Sequence, residues 1–259
     1  MTPLIGIDAN TVQLWIWRID PDAPVPPDCL AEADEAHAAR FVRAEDRASS
    51  RAARAGLRAI LGDSLGLPPL ELEFDVAPMG KPRLAFPANS GVHFNLSHSH
   101  GLAALGVARF ALGVDIEAVR PVEDDLAHAV FSPAELDEFA RLTPAGRRLA
   151  FFLGWTRKEA VVKALGSGLH APLDRFSVSL TPGQPALLRD IGWPPGDESR
   201  WQIETFASPS EHVGAVAAAE TGWRVVAASG GALSVLGLAA PPGRVEIGVT
   251  PALRSEAGG

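Results

Sequence analysis

The segment from about Arg147 to Leu165 constrains this chain most, because it reads as a helix and sets Phe152, Trp155, Glu159 and Val162 at spacings of 3, 4 and 3. At 3.6 residues per turn these four share one face, and that face is apolar except for Glu159. Any fold that buries the stripe buries a carboxylate with it. An unpaired buried charge costs on the order of several kcal/mol, so Glu159 is expected to be held by a metal, by Lys163 one turn on, or by both.

Around that helix the chain reads as two halves. An opening strand near Val12 to Ile19 leads through a proline-rich loop, Asp20 to Pro27, into helical residues from about Leu30 to Leu65. The Ala- and Arg-rich part of this block is expected to end at Gly62. The following stretch, LPPLELEFDVAPMGKPRLAFPANSG, has too much Pro and Gly for long helices. Two apolar runs, Leu102 to Ala108 and Ala111 to Ile116, read as the strands of a hairpin. A second helical block covers about Pro133 to Arg141 and Arg147 to Leu165, and strands recur at Phe176 to Leu180, Trp201 to Phe206 and Val213 to Ala219. The last stretch, APPGRVEIGVTPALRSEAGG, has one short apolar run and reads as a loosely held tail. The expected domains are residues 1–117, residues 118–225 and an extension, 226–259, to which no role is given.

Composition removes several classes. With 259 residues and 47% hydrophobic content the chain can build real cores. One cysteine, Cys29, excludes an internal disulfide framework and a multi-cysteine zinc site. The N-terminal segment lacks the pattern of a signal peptide, and no window is long and apolar enough for a membrane span, so a cytoplasmic protein without a membrane partner is expected. A net charge of −8 argues against a nucleic-acid partner.

Three further patterns carry chemistry. Arg40, Arg43, Arg47, Arg51, Arg54 and Arg58 recur at spacings of 3, 4, 4, 3 and 4, one helical face that is either a solvated surface or a dock for phosphates or an acidic partner. Gly113-Val-Asp-Ile-Glu117 alternates as a strand, which turns Val114 and Ile116 one way and Asp115 and Glu117 the other. The two acids are a solvated pair or, with Glu159, an all-oxygen set that favours magnesium or manganese over zinc. Phe94-Asn-Leu-Ser-His-Ser-His-Gly101 reads as a polar loop, a self-bonded turn or a phosphate contact through Ser97 and His98. No Gly-x-Ser-x-Gly elbow surrounds Ser97, which removes the serine-hydrolase reading. Lys81 stands in a Gly-Lys-Pro turn.

Taken in order, Gly-Lys-Pro, Phe-Asn-Leu-Ser-His-Ser, Gly-Val-Asp-Ile-Glu and Trp-Thr-Arg-Lys-Glu-Ala-Val-Val-Lys-Ala resemble the phosphopantetheinyl transferases of the surfactin-synthetase-activating type. The likeness covers roughly residues 12 to 220 and includes Gly166-Ser-Gly-Leu169 and Asp174-Arg-Phe-Ser-Val178. It implies an α+β fold of two similar halves related by a pseudo-twofold axis, with the active site in the cleft between them. It also implies coenzyme A, magnesium, and an apo acyl or peptidyl carrier protein whose serine receives phosphopantetheine as adenosine 3',5'-bisphosphate departs.

By position, the resemblance makes Asp115, Glu117 and Glu159 the magnesium ligands, Glu159 also the base, and Lys163 the residue that steadies or protonates the leaving group. Lys81, Ser97 and His98 match positions that hold the phosphates of coenzyme A, and Lys158, of the same helix motif as Glu159, is expected among the coenzyme A contacts with them. Asp34 and His37 stand where some members carry basic residues, so Arg47 and Arg51 are offered as substitutes on the ribose phosphate. A monomer is expected, since both halves lie in one chain. Two other classes fit the same residues: a magnesium-dependent phosphohydrolase, which the arginine face disfavours, and a silent carrier-protein or coenzyme A binding module, which has no need of a charged cleft.

Overall fold

The computed structural model describes residues 7–20, 22–122, 124–168, 171–189, 192–193, 198–208, 211–228 and 245–248. Along the chain run β1 (Thr11–Arg18), α1 (Glu32–Ala38), α2 (Ala44–Leu65), β2 (Glu73–Val76), β3 (Pro82–Phe86), β4 (His93–Ser99), β5 (Leu102–Ala108) and β6 (Gly113–Ala118). They are followed by α3 (Asp124–Val130), α4 (Pro133–Ala140), α5 (Pro144–Leu165), β7 (Ser177–Val178), β8 (Leu188–Arg189), β9 (Gln202–Ser208), β10 (His212–Ala218), β11 (Arg224–Ala227) and β12 (Glu246–Ile247). The fold is α+β, as expected. It divides into two compact units, the first Met1–Ala111 with Trp223–Pro242 and the second Leu112–Gly222 with Gly243–Gly259.

The first unit is built on a sheet of order β11-β1-β5-β4, with β1 parallel to β11 and antiparallel to β5. Trp15 and Trp17, two apart on β1, face the same way and enter a core with Leu57, Ile60 and Leu61 of α2. Gly56 makes this approach possible, since a Cβ there would lie 2.6 Å from the Trp17 indole. The helix closes at Gly66, in the left-handed region at φ 66°, where its N–H reaches the carbonyls of Gly62 and Asp63. Gly62, expected as the stop, lies inside the helix. A left-handed turn one residue beyond Leu65 ends the run instead.

The second unit repeats the ingredients: a sheet of order β12-β9-β10-β6 and a 22-residue helix, α5, closed by Gly166 at φ 69°. Thr143 caps its first turn by accepting the Gly146 N–H at 3.1 Å. Phe151, Phe152, Ala160 and Val161 of α5 share a core with Val213, Ala215 and Ala217 of β10.

Two expectations are corrected. The runs 102–108 and 111–116 do not pair: β5 lies between β1 and β4, while β6 pairs with β10 in the other sheet. Short neighbouring apolar runs look like a hairpin, but Phe110 to Leu112 is a crossing from one unit to the next. Residues 93–99 are strand and not loop, because Phe94 and the polar Asn95, Ser97 and Ser99 are all buried beside β5. Leu169 and most of the expected extension 226–259 lie outside the described residues; Glu246 and Ile247 within it pair with β9.

Candidate active site

The site of the second unit begins at Gly113. A Cβ at this position would collide with the Ala160 carbonyl and the Ala164 amide, so only glycine lets α5 lie directly over the start of β6. Antiparallel pairing sets Asp115 opposite Ala215 and Glu117 opposite Val213. Both acids therefore project on the face of β6 that α5 covers, as their alternation predicts. We expect Gly113→Ala to destabilise the protein by about 3 kcal/mol or more, because backbone and not a flexible side chain must yield. Chemical denaturation checks this, and an unchanged midpoint would show that the helix can lift away without cost.

From α5 come Glu159 and Lys163, one turn apart. Asp115 is 3% exposed, and Lys163 Nζ donates to its Oδ1 at 2.5 Å. Burial is the first cause that pushes the Glu159 carboxyl up; the Asp115 charge adds to it, Lys163 opposes it, and Glu117 adds further. Three carboxylates and one ammonium thus lie within electrostatic reach of one another. Among the described residues no three His, Cys, Asp or Glu side chains are gathered closely enough to hold a metal ion by themselves. The apolar stripe is as expected in part: Phe152 and Val162 are buried, whereas Trp155 and Glu159 are half-buried.

Two charges that look superficial in sequence turn out to be interior. Lys158, expected among the coenzyme A contacts, has a fully buried side chain. Its Nζ lies 2.7 Å from Glu135 Oε2, donates to the carbonyls of Leu173 and Phe176, and sits over the Phe176 ring. An ammonium so enclosed holds α5 and not a nucleotide. Arg157, also fully buried, donates to the carbonyl and hydroxyl of Ser179 and to Thr205 Oγ1. Burial pushes Lys158 down and Glu135 up, and each partner's charge opposes the shift of the other. Glu135 had a legible signal: Ser132-x-x-Glu135 is a capping-box pattern, and Ser132 and Glu135 do bond reciprocally.

In the first unit the six-arginine face is broken. Arg40 precedes α2 and Arg43 is its N-cap. Arg54 and Arg58 both turn onto the buried Asp34 of α1, whose Oδ2 also accepts the Ala31 N–H. Arg58 further donates to the carbonyls of Pro69 and Leu72. Arg51 makes a forked pair with Glu35, with Nε and Nη2 at 2.9 Å from its oxygens. Arg47 Nη1 donates to the carbonyls of Phe41 and Val42. Half of this face, Arg51, Arg54 and Arg58, docks α1 onto α2, a solution that spacing cannot distinguish from a solvated or anion-binding one. Lys81 stands in the turn between β2 and β3, where burial pushes its ammonium down to about 8. Ser97 is buried and His98 exposed, on opposite faces of β4.

Comparison with known proteins fits this arrangement. The family model described as 4'-phosphopantetheinyl transferase superfamily matches residues 111–217, and the one described as 4'-phosphopantetheinyl transferase, N-terminal, matches residues 25–109. The chain belongs to the 4'-phosphopantetheinyl transferase family, and it is an enzyme of that kind. It is 36% identical to 4'-phosphopantetheinyl transferase HetI of Nostoc sp. over 82% of this chain and 90% of the relative. A 4'-phosphopantetheinyl transferase of Bacillus subtilis is 33% identical over 70% of this chain and 78% of its own length. Sfp of Bacillus subtilis is 29% identical over 54% of this chain and 62% of its own.

Proposed function

We propose that this enzyme transfers the phosphopantetheine group of coenzyme A to a serine of an apo acyl, polyketide or peptidyl carrier protein, with magnesium, and releases adenosine 3',5'-bisphosphate. The observation that carries the reading is the convergence of Asp115, Glu117, Glu159 and Lys163 between β6 and α5. Magnesium fits the donor set: all donors are oxygen, and this ion is usually held by one or two carboxylates together with substrate phosphates and water, so a closed protein cage is not required. When bound, it would neutralise charge that builds on the phosphoryl oxygens. Asp115, Glu117 and Glu159 are the residues that would hold it.

Glu159 also serves as the base in this reading. Burial and the two neighbouring acids favour its protonated form, which makes the carboxylate a better acceptor for the serine proton. As that proton leaves, the serine oxygen attacks the phosphorus bearing pantetheine, and the bond to the bisphosphate leaving group breaks. Lys163, on a flexible stem one turn further on, steadies the departing phosphate. Lys81, Ser97 and His98 are proposed to hold the phosphates of coenzyme A. For Arg51 to grip the ribose phosphate it must leave Glu35, whereas Arg47 can keep its carbonyl contacts and offer its other N–H groups. The monomeric state and the cytoplasmic location belong to the same proposal. No helix of the described residues is long and apolar enough to cross a membrane.

Intact-protein mass spectrometry of a panel of apo carrier proteins, incubated with the enzyme, coenzyme A and magnesium, tests the reading. A gain of one phosphopantetheine that chelator abolishes is the expected result. Consumption of coenzyme A without any gain would turn the reading toward hydrolysis.

A pH dependence follows from Lys81. Its ammonium is charged below about 8 in the folded protein, against an ordinary value of 10.5. The KM for coenzyme A should therefore rise as pH rises through about 8, and Lys81→Arg should flatten the profile. Unfolding is not the cause, for the sign is opposite: the unfolded chain keeps this proton to higher pH, so Lys81 adds stability as pH rises over that window. A KM that stays flat from pH 7 to 9 would remove Lys81 from the phosphate site.

A further inference from the structure

The ion pair between Lys163 and Asp115 bears on the order in which ligands bind. The Asp115 side chain is 4% exposed and belongs to the buried part of β6, so its carboxylate is fixed in place and poorly hydrated. The Lys163 side chain is 28% exposed and lies in the last turn of α5. Its four-carbon stem can swing the ammonium outward by bond rotation while the helix stays where it is. One partner is immobile and the other is not.

A divalent ion taken on by Asp115 Oδ1 would place a double positive charge beside an ammonium bonded to the same oxygen, at a depth where solvent screens little. The two cations repel each other and compete for that carboxylate. Lys163 leaves only if another anion receives it, and the phosphate oxygens of coenzyme A are the anions that this site is proposed to take.

We infer that Lys163 and the divalent cation are alternative counterions of Asp115, so that cation binding is conditional on a phosphate that draws Lys163 away. This rests on the metal reading proposed above. Asp115 is neutralised in both arrangements, first by the ammonium and then by the metal, and the like charges of Glu117 and Glu159 are never left with a bare third acid. The coupling is reciprocal: coenzyme A tightens the cation by the factor by which the cation tightens coenzyme A.

Binding of Mn2+, followed by the electron paramagnetic resonance of the unbound ion, tests this without turnover. Wild type, Lys163→Met and Lys163→Arg are compared with and without coenzyme A, after circular dichroism has confirmed that each is folded; Lys163→Gln replaces a methionine variant that is not. Coenzyme A should tighten Mn2+ on the wild type by about tenfold or more. Without coenzyme A, Lys163→Met should bind Mn2+ several-fold tighter than wild type, and the further effect of coenzyme A should shrink by the same factor. Lys163→Arg, which keeps the charge, should behave as the wild type. Equal Mn2+ binding by wild type and Lys163→Met, both tightened by coenzyme A, overturns the exchange and leaves the metal reading standing. No Mn2+ binding by either protein with coenzyme A present overturns both.

Discussion

Glu159→Gln should lower turnover about a thousandfold, the middle of the range for loss of a positioned general base, while the protein stays folded. Glutamine preserves the shape of the side chain on α5 and removes only its charge. Stability should move the other way. Because burial and the neighbouring acids raise the Glu159 carboxyl above its ordinary value, the folded chain holds that proton to higher pH than the unfolded chain does. The wild type therefore loses stability as pH rises through the raised value, and the variant does not. Melting temperatures measured with chelator present should coincide in acid and favour Glu159→Gln near pH 8. A variant that melts lower at every pH would mean that the carboxylate holds the fold; turnover within tenfold of wild type would end its assignment as base.

The second large effect is structural. Glu135 accepts the Val178 N–H at 2.7 Å, the Ser132 N–H at 2.7 Å and the Lys158 ammonium at 2.7 Å. Glu135→Ala leaves a fully buried ammonium without its counter-charge and two amides without their acceptor. The expected loss is about 3–5 kcal/mol, a fall in melting temperature of roughly 10 °C for a chain of this size. Replacing both partners, with Glu135→Leu and Lys158→Met together, should recover much of this, since a hydrophobic pair carries no desolvation penalty. The two orphaned amides keep the recovery from being complete. A loss below about 1 kcal/mol in Glu135→Ala would mean that water or a shifted side chain reaches Lys158. A Lys158→Met protein that folds should bind coenzyme A with wild-type affinity, and a weaker affinity would return Lys158 to the ligand site.

The legible part of the site was the part governed by periodicity. Strand alternation put Asp115 and Glu117 on one face, and helical spacing put Glu159 and Lys163 one turn apart; both survive because neither depends on what lies opposite. Pairing does depend on it. The runs 102–108 and 111–116 gave a hairpin pattern, yet β6 finds β10 nearly a hundred residues on, and no local signal names that partner. Burial of charge was hidden for the same reason. Arg157 and Lys158 are adjacent cations in a helix, a pattern usual on surfaces, and their acceptors at Glu135, Ser179 and Thr205 come from three distant segments. The arginines of α2 repeat the lesson: Asp34, met as a departure from an expected basic residue, is the group that gathers Arg54 and Arg58.

The path of the chain has a further consequence, for manufacture in the cell. Strand β11, residues Arg224–Ala227, completes the sheet begun by β1 some two hundred residues earlier, and β12 returns to the sheet of the second unit. Until residues 224–227 have been made and have emerged from the ribosome, the β1 edge from Thr11 to Leu14 is bare. Open strand edges invite pairing with other chains. The first sheet is complete only once β11 has emerged and the second only once β12 has, so a gene cut after residue 111 should yield a first fragment with an open strand edge and no minimal half-enzyme.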